Sequence, residues 1–261
     1  MNNSNSMDIA IISTYDTDYI RMIVNNLSKK GYLPKNIYFA NKVSQIMFKF
    51  NSFTRIVKRL GLTEAILRIY NARKTKYSIE KKEYTSIHEL SKTNNIKIDY
   101  YDHVKSGKLL TKLLANKPKI IVLAGCGMVD NSLISIPTQG CINAHPAILP
   151  GARGVDVVDW SLLNNYPFGV TAHMVDVKVD AGDIIKVREV NSDKSELYDD
   201  FKHRLLEDQA KVMADAIIEV YEEKANFTKH DLTKSKLYFS ITNKEKIEAK
   251  KIFSKITKAI S

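Results

Sequence analysis

Cys141-Ile-Asn-Ala-His-Pro-Ala-Ile-Leu-Pro-Gly-Ala-Arg-Gly154 is an apolar strand pattern that ends in polar side chains and a turn. Asn143 and His145 are two residues apart, and residues at i and i+2 of an extended chain point to the same face. Further along, Val179-Asp180-Ala-Gly-Asp-Ile-Ile185 predicts a turn that carries Asp180 ahead of another apolar strand. An amide, an imidazole and a carboxylate are the groups that acyl transfer requires, so these three residues are the candidate catalytic groups.

Outward from this stretch, short apolar strands alternate with amphipathic helices. The strands are predicted over residues 8–14, 36–40, 96–101, 120–124, 140–144 and 184–190, and a long helix over 194–223. Asp16 is a candidate cap for a first helix that runs to Lys30, with Gly31 just past its end. Continuous apolar strands separated by helices are typical of parallel sheets that are covered on both faces. The sequence therefore predicts an α/β fold with a doubly wound, mostly parallel, Rossmann-like sheet.

Two segments fall outside this alternation. Residues 43–82 show helical periodicity that Gly61 interrupts, which predicts a basic insertion of two amphipathic helices. Residues 229–261 predict a short extended piece at 237–240 and then a basic amphipathic helix. We divide the chain into a catalytic core over 1–190, with 43–82 as its insertion, and a C-terminal helix with a basic tail over 191–261.

The net charge of +11 is unevenly distributed. Residues 42–82 hold eleven Lys and Arg against two acidic residues, and residues 229–261 hold nine against three. Residues 83–228 have a net charge of −5. This pattern fits an anionic partner held by the two appendages, although solvated lysine-rich helix faces would give the same pattern.

Composition excludes several classes of protein. The two cysteines, Cys126 and Cys141, form no CxxC motif, which argues against a disulfide framework and a structural zinc site. Residues 1–7 do not resemble a secretory leader, and no apolar run approaches the length of a membrane span. We expect a cytoplasmic protein that binds no metal.

Several short motifs recur in a fixed order. They are Asn143-x-His145-Pro146, Leu149-Pro150, Arg153-Gly154, Trp160, Gly169-Val-Thr171-x-His173 and Asp180-x-Gly182-x-Ile184-Ile185. In this combination the chain resembles the tetrahydrofolate-dependent formyltransferases, most clearly over 120–190. Each residue alone has a simpler reading, since an Asn or Asp shapes turns and a His bonds carbonyl groups.

The resemblance implies N10-formyltetrahydrofolate as formyl donor and assigns catalytic roles to Asn143, His145 and Asp180. Asn143 would donate to the oxyanion of the tetrahedral intermediate, and Asp180 would hold the imidazole or a bridging water. Whether His145 or a water relayed by Asp180 takes the amine proton is left open. Thr171 and His173 would lie beside these residues. Asp183 is the rival carboxylate.

The resemblance also implies where the substrates bind. The loop after the fourth strand and the loop around Asp180 would flank the folate head, which makes Met128, Val129 and Val179 the candidate donor-binding residues. Arg153 would bind substrate phosphate or shape its loop. The strand-one loop, residues 13–16, lacks the glycines that a phosphate cradle would need.

The short tail separates members of this family. Methionyl-tRNA formyltransferases usually add a β-barrel domain, for which residues 229–261 are too few. The acceptor we expect is a nucleotide-linked amino sugar, a precursor of a surface polysaccharide such as lipopolysaccharide. Glycinamide ribonucleotide and methionyl-tRNA are the alternatives. An RNA-binding or membrane-surface protein on this fold is the non-enzymatic alternative, but we expect neither nucleic acid nor membrane as a partner and leave a homodimer open.

Overall fold

A seven-stranded sheet with helices on both faces forms the centre of the protein in a computed structural model, which describes residues 5–75 and 84–260. The strands are β1 (Asn5–Ser13), β2 (Tyr32–Ala40), β3 (Lys97–Tyr101), β4 (Ile120–Leu123), β5 (Cys141–His145), β6 (Ala152–Gly154), β7 (Gly169–Met174), β8 (Ile184–Glu189) and β9 (Lys236–Tyr238). The helices are α1 (Asp18–Lys29), α2 (Lys42–Leu60), α3 (Leu62–Thr75), α4 (Ile87–Thr93), α5 (Gly107–Asn116), α6 (Asn131–Ile134), α7 (Val157–Leu163), α8 (Tyr198–Tyr221) and α9 (Asn243–Ala259).

The strand order is β3-β2-β1-β4-β5-β7-β8, and β6 and β9 form a separate parallel pair. The pairs from β3 through to β5 are parallel, whereas β7 runs antiparallel to both β5 and β8. The order reverses between β1 and β4, and ligands of such sheets bind outside the carboxyl ends of the strands at this kind of point. The predicted doubly wound, mostly parallel sheet is confirmed.

Alternate residues of the central strands enter two separate cores. Ile9 and Ile11 of β1 belong to the core that α1 and α8 cover, whereas Ala10 and Ile12 belong to the core that α5 covers. All four side chains are fully buried. Burial on both faces explains why these strands are apolar at every position rather than at every second one.

The first two strands are longer than predicted. Asn5 pairs with Tyr32, so β1 and β2 both begin before the predicted residues 8 and 36. Pro34 lies inside the added part of β2, and the pairing is irregular between Met7 and Ala10, opposite this proline. Proline has no N–H to donate to the ladder, and the irregular pairing lies where Pro34 interrupts it.

The long C-terminal helix packs into the main core. Eleven residues of α8 are buried, including the fully buried Phe201. The helix begins at Tyr198 rather than at the predicted residue 194. Ser195 has φ +57°, a left-handed conformation that cannot be part of a right-handed helix, so the helix starts only after it. The division of the chain at residue 190 stays a prediction.

The insertion forms two helices, as predicted. The Asn41 side chain caps α2 by accepting from Ser44 N at 2.8 Å, and Gly61 separates α2 from α3 with φ +92°. No residue of α2 is buried. The last part of the predicted insertion, residues 76–82, lies outside the described residues.

One cap predicted from the sequence is wrong. Asp16 does not cap α1: Thr17 occupies the cap position and makes no side-chain bond. The Asp16 carboxylate instead accepts from Arg21 Nε at 2.8 Å and from Ile87 N at 3.2 Å. The sequence did not predict α4, whose first residue is Ile87, so this tertiary partner of Asp16 could not be foreseen.

The predicted extended piece of the tail forms β9, and the predicted basic helix forms α9. β9 lies beside β6, the strand that carries Arg153. Asp156, which follows β6, forms ion pairs with Arg68 of α3 at 2.7 Å and Lys246 of α9 at 3.7 Å. The insertion and the tail are therefore joined to the core next to the motif region.

Candidate active site

A cleft of about 290 Å³ opens at the carboxyl ends of the parallel strands. The loop after β4 lines one side, and the segment from β7 to β8 lines the other. The residues that line it are Leu123, Gly125, Cys126, Gly127, Met128, Val129, Asn143, His173, Val175, Asp176, Val177, Val179 and Asp180. A larger cleft of about 460 Å³ lies elsewhere, between Ser161 and Ile260, and contains none of the predicted site residues.

Asp180 is held between two imidazole rings. Its Oδ2 accepts a hydrogen bond from Gly154 N at 2.9 Å and lies 3.5 Å from His145 Nδ1. Its Oδ1 lies 3.6 Å from His173 Nε2. The Asp180 side chain is 11% exposed and its backbone has φ +46°. Three chain segments that are distant in sequence therefore fix one carboxylate at the edge of the cleft.

The hydrogen bonds of His145 fix its tautomer. Nε2 lies 2.9 Å from the carbonyl oxygen of Ala152, and because a carbonyl only accepts, Nε2 carries a proton. Nδ1 is then the nitrogen that faces Asp180, and a second proton there would join ring and carboxylate directly. The ring is buried behind the cleft rather than in its lining.

His173 orients Asn143. Its Nδ1 lies 2.8 Å from Met174 O, so Nδ1 carries the proton. Burial lowers the pKa of His173 to about 4, against opposing effects of Asp180 and the Met174 carbonyl, and keeps the ring neutral. The unprotonated Nε2 lies 3.4 Å from Asn143 Nδ2 and can accept from it. The Asn143 amide therefore turns its NH₂ group toward His173 and retains a second N–H.

Thr171 supports the loop of the motif rather than the cleft. Its hydroxyl donates to Ala147 O at 2.8 Å and accepts from Leu149 N at 3.0 Å. Thr171 pairs with His145 across β5 and β7, and Asn143 pairs with His173 in the same register. The i, i+2 spacing on each strand thus places all four side chains on one face of the sheet.

The structure also locates the other predicted residues. Met128, Val129 and Val179 all line the cleft. Arg153 Nη1 donates to Val179 O at 3.0 Å, so this side chain connects the β6 loop to the Asp180 loop. Asp183, the rival carboxylate, is exposed and is not part of the cleft lining.

Two participants were missed by the sequence analysis. Gly154 was noted only as part of a motif, yet its N–H binds Asp180, and a Cβ there would lie 2.0 Å from Tyr238 O.

His230 follows a bridge between Thr228 and Ile184, and both of its ring nitrogens are buried with no hydrogen-bond partner among the described residues. Burial, with Arg153 nearby, lowers the pKa of His230. No sequence signal marks His230, because tertiary packing alone brings it here.

Gly182 is required by close packing within the Asp180 turn. A Cβ at this position would lie 1.9 Å from the carbonyl oxygen of Met174. The Asp-x-Gly motif therefore has a steric basis, since only glycine lets the turn lie against the end of β7.

The end of β1 and the loop that follows it are hydrogen-bonded to the loop after β4. The hydroxyl groups of Ser13 and Thr14 donate to Ala124 O at 2.7 Å and Gly125 O at 2.8 Å. Both side chains are buried. These hydroxyls shape one wall of the cleft. Cys126 also lines it, but burial raises the pKa of its thiol to about 12 and keeps it protonated.

Among residues 5–75 and 84–260, no group of three or more His, Cys, Asp and Glu side chains is arranged to hold a metal ion. In the same part of the chain, no helix is both long and apolar enough to cross a membrane.

The fold and this arrangement of polar groups define the class of the protein. The model of the formyl transferase family matches residues 53–217, which include all the predicted site residues. The chain belongs to this family.

Relatives are known by sequence and by structure. The methionyl-tRNA formyltransferase of Ehrlichia canis (strain Jake) is 30% identical over 123 residues, which are 46% of this chain and 41% of that protein. The match thus covers less than half of the relative's length.

Among solved structures, a 4-N formyltransferase from Francisella tularensis has a TM-score of 0.57 at 17% identity, covering 95% of this chain and 87% of that one. The formyltransferase PseJ from Anoxybacillus kamchatkensis, solved with UDP-4,6-dideoxy-4-formamido-L-AltNAc and tetrahydrofolate, has a TM-score of 0.51 at 22% identity, with coverage of 66% and 93%. At these identities the likeness establishes the fold.

Proposed function

We propose that the protein transfers a formyl group from N10-formyltetrahydrofolate to a primary amine of a nucleotide-linked amino sugar. The observation that carries this proposal is the meeting of Asn143, His173 and Asp180 at one edge of a cleft, with His145 directly behind Asp180. These groups can bind a developing oxyanion and move a proton, which are the two requirements of formyl transfer.

The formyl donor, a substrate of the reaction, would bind in the 290 Å³ cleft. Val129 and Val179 offer apolar contact, and the main chain of residues 125–129 offers hydrogen-bonding groups for a flat heterocycle. Met128 is 67% exposed at the mouth and could close over it. The folate-bound Anoxybacillus structure supports this choice of donor.

Asn143 would stabilise the oxyanion. The amine nitrogen attacks the formyl carbon, a C–N bond forms, and the carbonyl oxygen becomes negatively charged until the bond to N10 breaks. Because neutral His173 engages one N–H of Asn143, the other can point at this oxygen at a fixed orientation. Such a donor typically contributes about 2.7–4 kcal/mol to transition-state stabilisation.

Asp180 would accept the proton of the attacking amine, directly or through a water, and would return that proton to N10 as the bond between the formyl carbon and N10 breaks. The contacts of His145 support this route over direct abstraction by His145. Its Nε2 is bound to Ala152 O and its Nδ1 faces Asp180, so neither nitrogen faces the cleft. His145 would then act through Asp180, because its Nδ1 lies 3.5 Å from Asp180 Oδ2.

Two observations support a nucleotide-linked acceptor, namely the position of Arg153 and the sugar bound in a structurally similar protein. The Arg153 guanidinium lies beside Val179 and presents a positive charge near the cleft. The Anoxybacillus relative was solved with a UDP-linked formamido sugar. We place the reaction in the cytoplasm, because two free, buried cysteines suit a reducing compartment.

The test is formylation by the purified protein, supplied with N10-formyltetrahydrofolate and a panel of UDP- and dTDP-linked amino sugars. Release of tetrahydrofolate should depend on the sugar amine and yield one formamide per folate. The control is the same sugar with its amine acetylated, which should give no turnover. Turnover on glycinamide ribonucleotide alone would contradict the proposed acceptor while retaining the formyl-transfer reaction.

Methionyl-tRNA is the second candidate acceptor, because the Ehrlichia relative bears that activity in its name. The basic insertion could then hold the tRNA backbone. Formylation of charged initiator tRNA, with no turnover on any amino sugar, would select this acceptor.

A further inference from the structure

The insertion exposes a row of large apolar side chains. Val43, Ile46, Met47 and Phe50 of α2 follow the i, i+3, i+4, i+7 spacing that places them on one helix face. Each of the four is between 51% and 68% exposed. We call these four residues the α2 stripe. Leu62, Ile66 and Ile69 of α3 repeat the spacing and are also more than 40% exposed.

The opposite face of α2 is fixed against the core, so the helix cannot simply rotate its stripe inward. The Phe48 ring packs edge-on against Tyr15 at 6.3 Å between centroids, and Gln45 O accepts from the Tyr15 hydroxyl at 2.9 Å. Farther along the helix, the Arg59 guanidinium stacks 4.1 Å over the Phe239 ring. The α2 stripe therefore points to solvent because of these contacts.

Lysines border the stripe on both sides. At 3.6 residues per turn, Lys42 falls along one edge of the stripe and Lys58 along the other, and both are exposed. Lys49 follows Lys42 on the same edge, but its Nζ lies 5.5 Å from the centre of the Tyr15 ring. Residues 42–71 contain six Lys and Arg but one acid, Glu64. The Glu64 carboxylate faces inward, where it accepts from Asn243 N at 2.9 Å. The exposed charged residues that border the stripe on α2 are therefore all basic.

We infer that the α2 stripe docks the protein on an anionic lipid surface. This reverses the expectation from the sequence that the protein has no membrane partner. An apolar helix face bordered by lysines buries its side chains at the headgroup boundary, while the lysine stems extend toward the phosphates. A second copy of this chain suits the stripe less well, because a symmetric pairing would bring two basic borders together without a countercharge. The stripe residues line neither of the two clefts described above.

The experiment is sedimentation of the full chain with vesicles of phosphatidylcholine alone or mixed with phosphatidylglycerol. We expect binding to the anionic vesicles, little to the neutral ones, and release at high salt. Ile46→Asn with Phe50→Asn should lower the partition coefficient about tenfold or more. Lys42→Gln with Lys58→Gln should lower it about fivefold for each charge removed.

The matched control replaces two apolar residues of similar exposure elsewhere. Leu114 and Leu197 are 57% and 69% exposed, and Leu114→Asn with Leu197→Asn should leave vesicle binding unchanged. Circular dichroism and Tm should show that all variants fold. Sedimentation velocity of the wild type without vesicles completes the test.

Three outcomes would overturn the inference. The first is no binding of the wild type to anionic vesicles. The second is equal loss in the stripe variant and the control. The third is a wild-type dimer that the stripe variant dissociates while neither binds vesicles, which would make a second copy the occupant.

Discussion

Helices α8 and α2 are both long and amphipathic, yet they differ in burial. Eleven residues of α8 are buried and no residue of α2 is. Periodicity alone predicts that each is a helix with an apolar face, but it does not say what covers that face. In α8 the sheet covers it, whereas the α2 stripe is left to solvent. In the candidate site too, a buried residue can be compared with an exposed residue of the same type elsewhere in the chain. Substituting both members of such a pair tests what burial contributes.

The phenylalanine pair gives the largest expected effect. Phe201→Ala should lower the free energy of unfolding by about 3–5 kcal/mol, because it removes a fully buried ring and leaves a cavity. Phe50→Ala should change it by about 0.5 kcal/mol or less, because the ring is 59% exposed. Urea unfolding measures both. A large loss for Phe50→Ala would show that a partner or the rest of the chain covers α2.

The aspartate pair tests the site directly. Asp180→Asn should lower kcat about a thousandfold, because the amide cannot accept the amine proton. Asp183→Asn should retain wild-type turnover, since that carboxylate is exposed and lies outside the cleft lining. Steady-state formylation assays give the comparison. Equal losses in the two variants would contradict the assignment of Asp180.

An asparagine pair separates oxyanion binding from general loss of structure. Asn143→Ala should lower kcat about 10²–10³-fold with a smaller change in KM, because its N–H is proposed to act mainly in the transition state. Asn226→Ala, in an exposed loop, should leave kcat unchanged. If Asn143→Ala raised KM alone, Asn143 would be a ground-state binding residue instead.

The histidine pair predicts a pH dependence. The pKa of His173 is about 4 in the folded protein and about 6.5 in the unfolded chain, so the unfolded chain binds the proton first as pH falls. The contribution of neutral His173 to the free energy of unfolding is therefore fully present above about pH 6.5 and is lost as the pH falls toward 4. Between pH 7.5 and pH 5 the loss should be about 2 kcal/mol.

Urea unfolding at the two pH values checks this expectation. His173→Gln should reduce the pH dependence by that amount, whereas His103→Gln, at an exposed position, should retain it. His145, His230 and Asp180 act on His173 electrostatically, so double variants with each would reveal their share. An unchanged pH dependence in His173→Gln would contradict a neutral, buried ring.

Much of the fold was predictable because its signals are local. The apolar strands, the helix break at Gly61 and the basic helices of the insertion are all visible in short windows of sequence. The failures are equally instructive. The cap assigned to Asp16 was wrong because its carboxylate accepts from Ile87 N, far along the chain. The start of β2 was wrong because Tyr32 pairs with Asn5 of the neighbouring strand.

The sequence motif predicted which residues lie close together, but not the contacts between them. Their catalytic roles stay predictions. The motif residues Asn143, His145 and Asp180 are close in space, as their order suggested. His173 was expected only to lie beside these residues. In the structure its Nε2 lies 3.4 Å from Asn143 Nδ2 and 3.6 Å from Asp180 Oδ1. The structure gives Thr171 a supporting part in the loop.

The sequence by itself determined the alternating strands and helices, the family motifs and the uneven distribution of charge, since these depend on side-chain polarity and on short-range backbone preferences. Tertiary structure alone decided which nitrogen of each histidine carries its proton, which backbone N–H holds Asp180, and which helix face remains uncovered. The reason is that desolvation and hydrogen bonding depend on neighbours in space, and the chain brings those neighbours together from positions far apart in sequence.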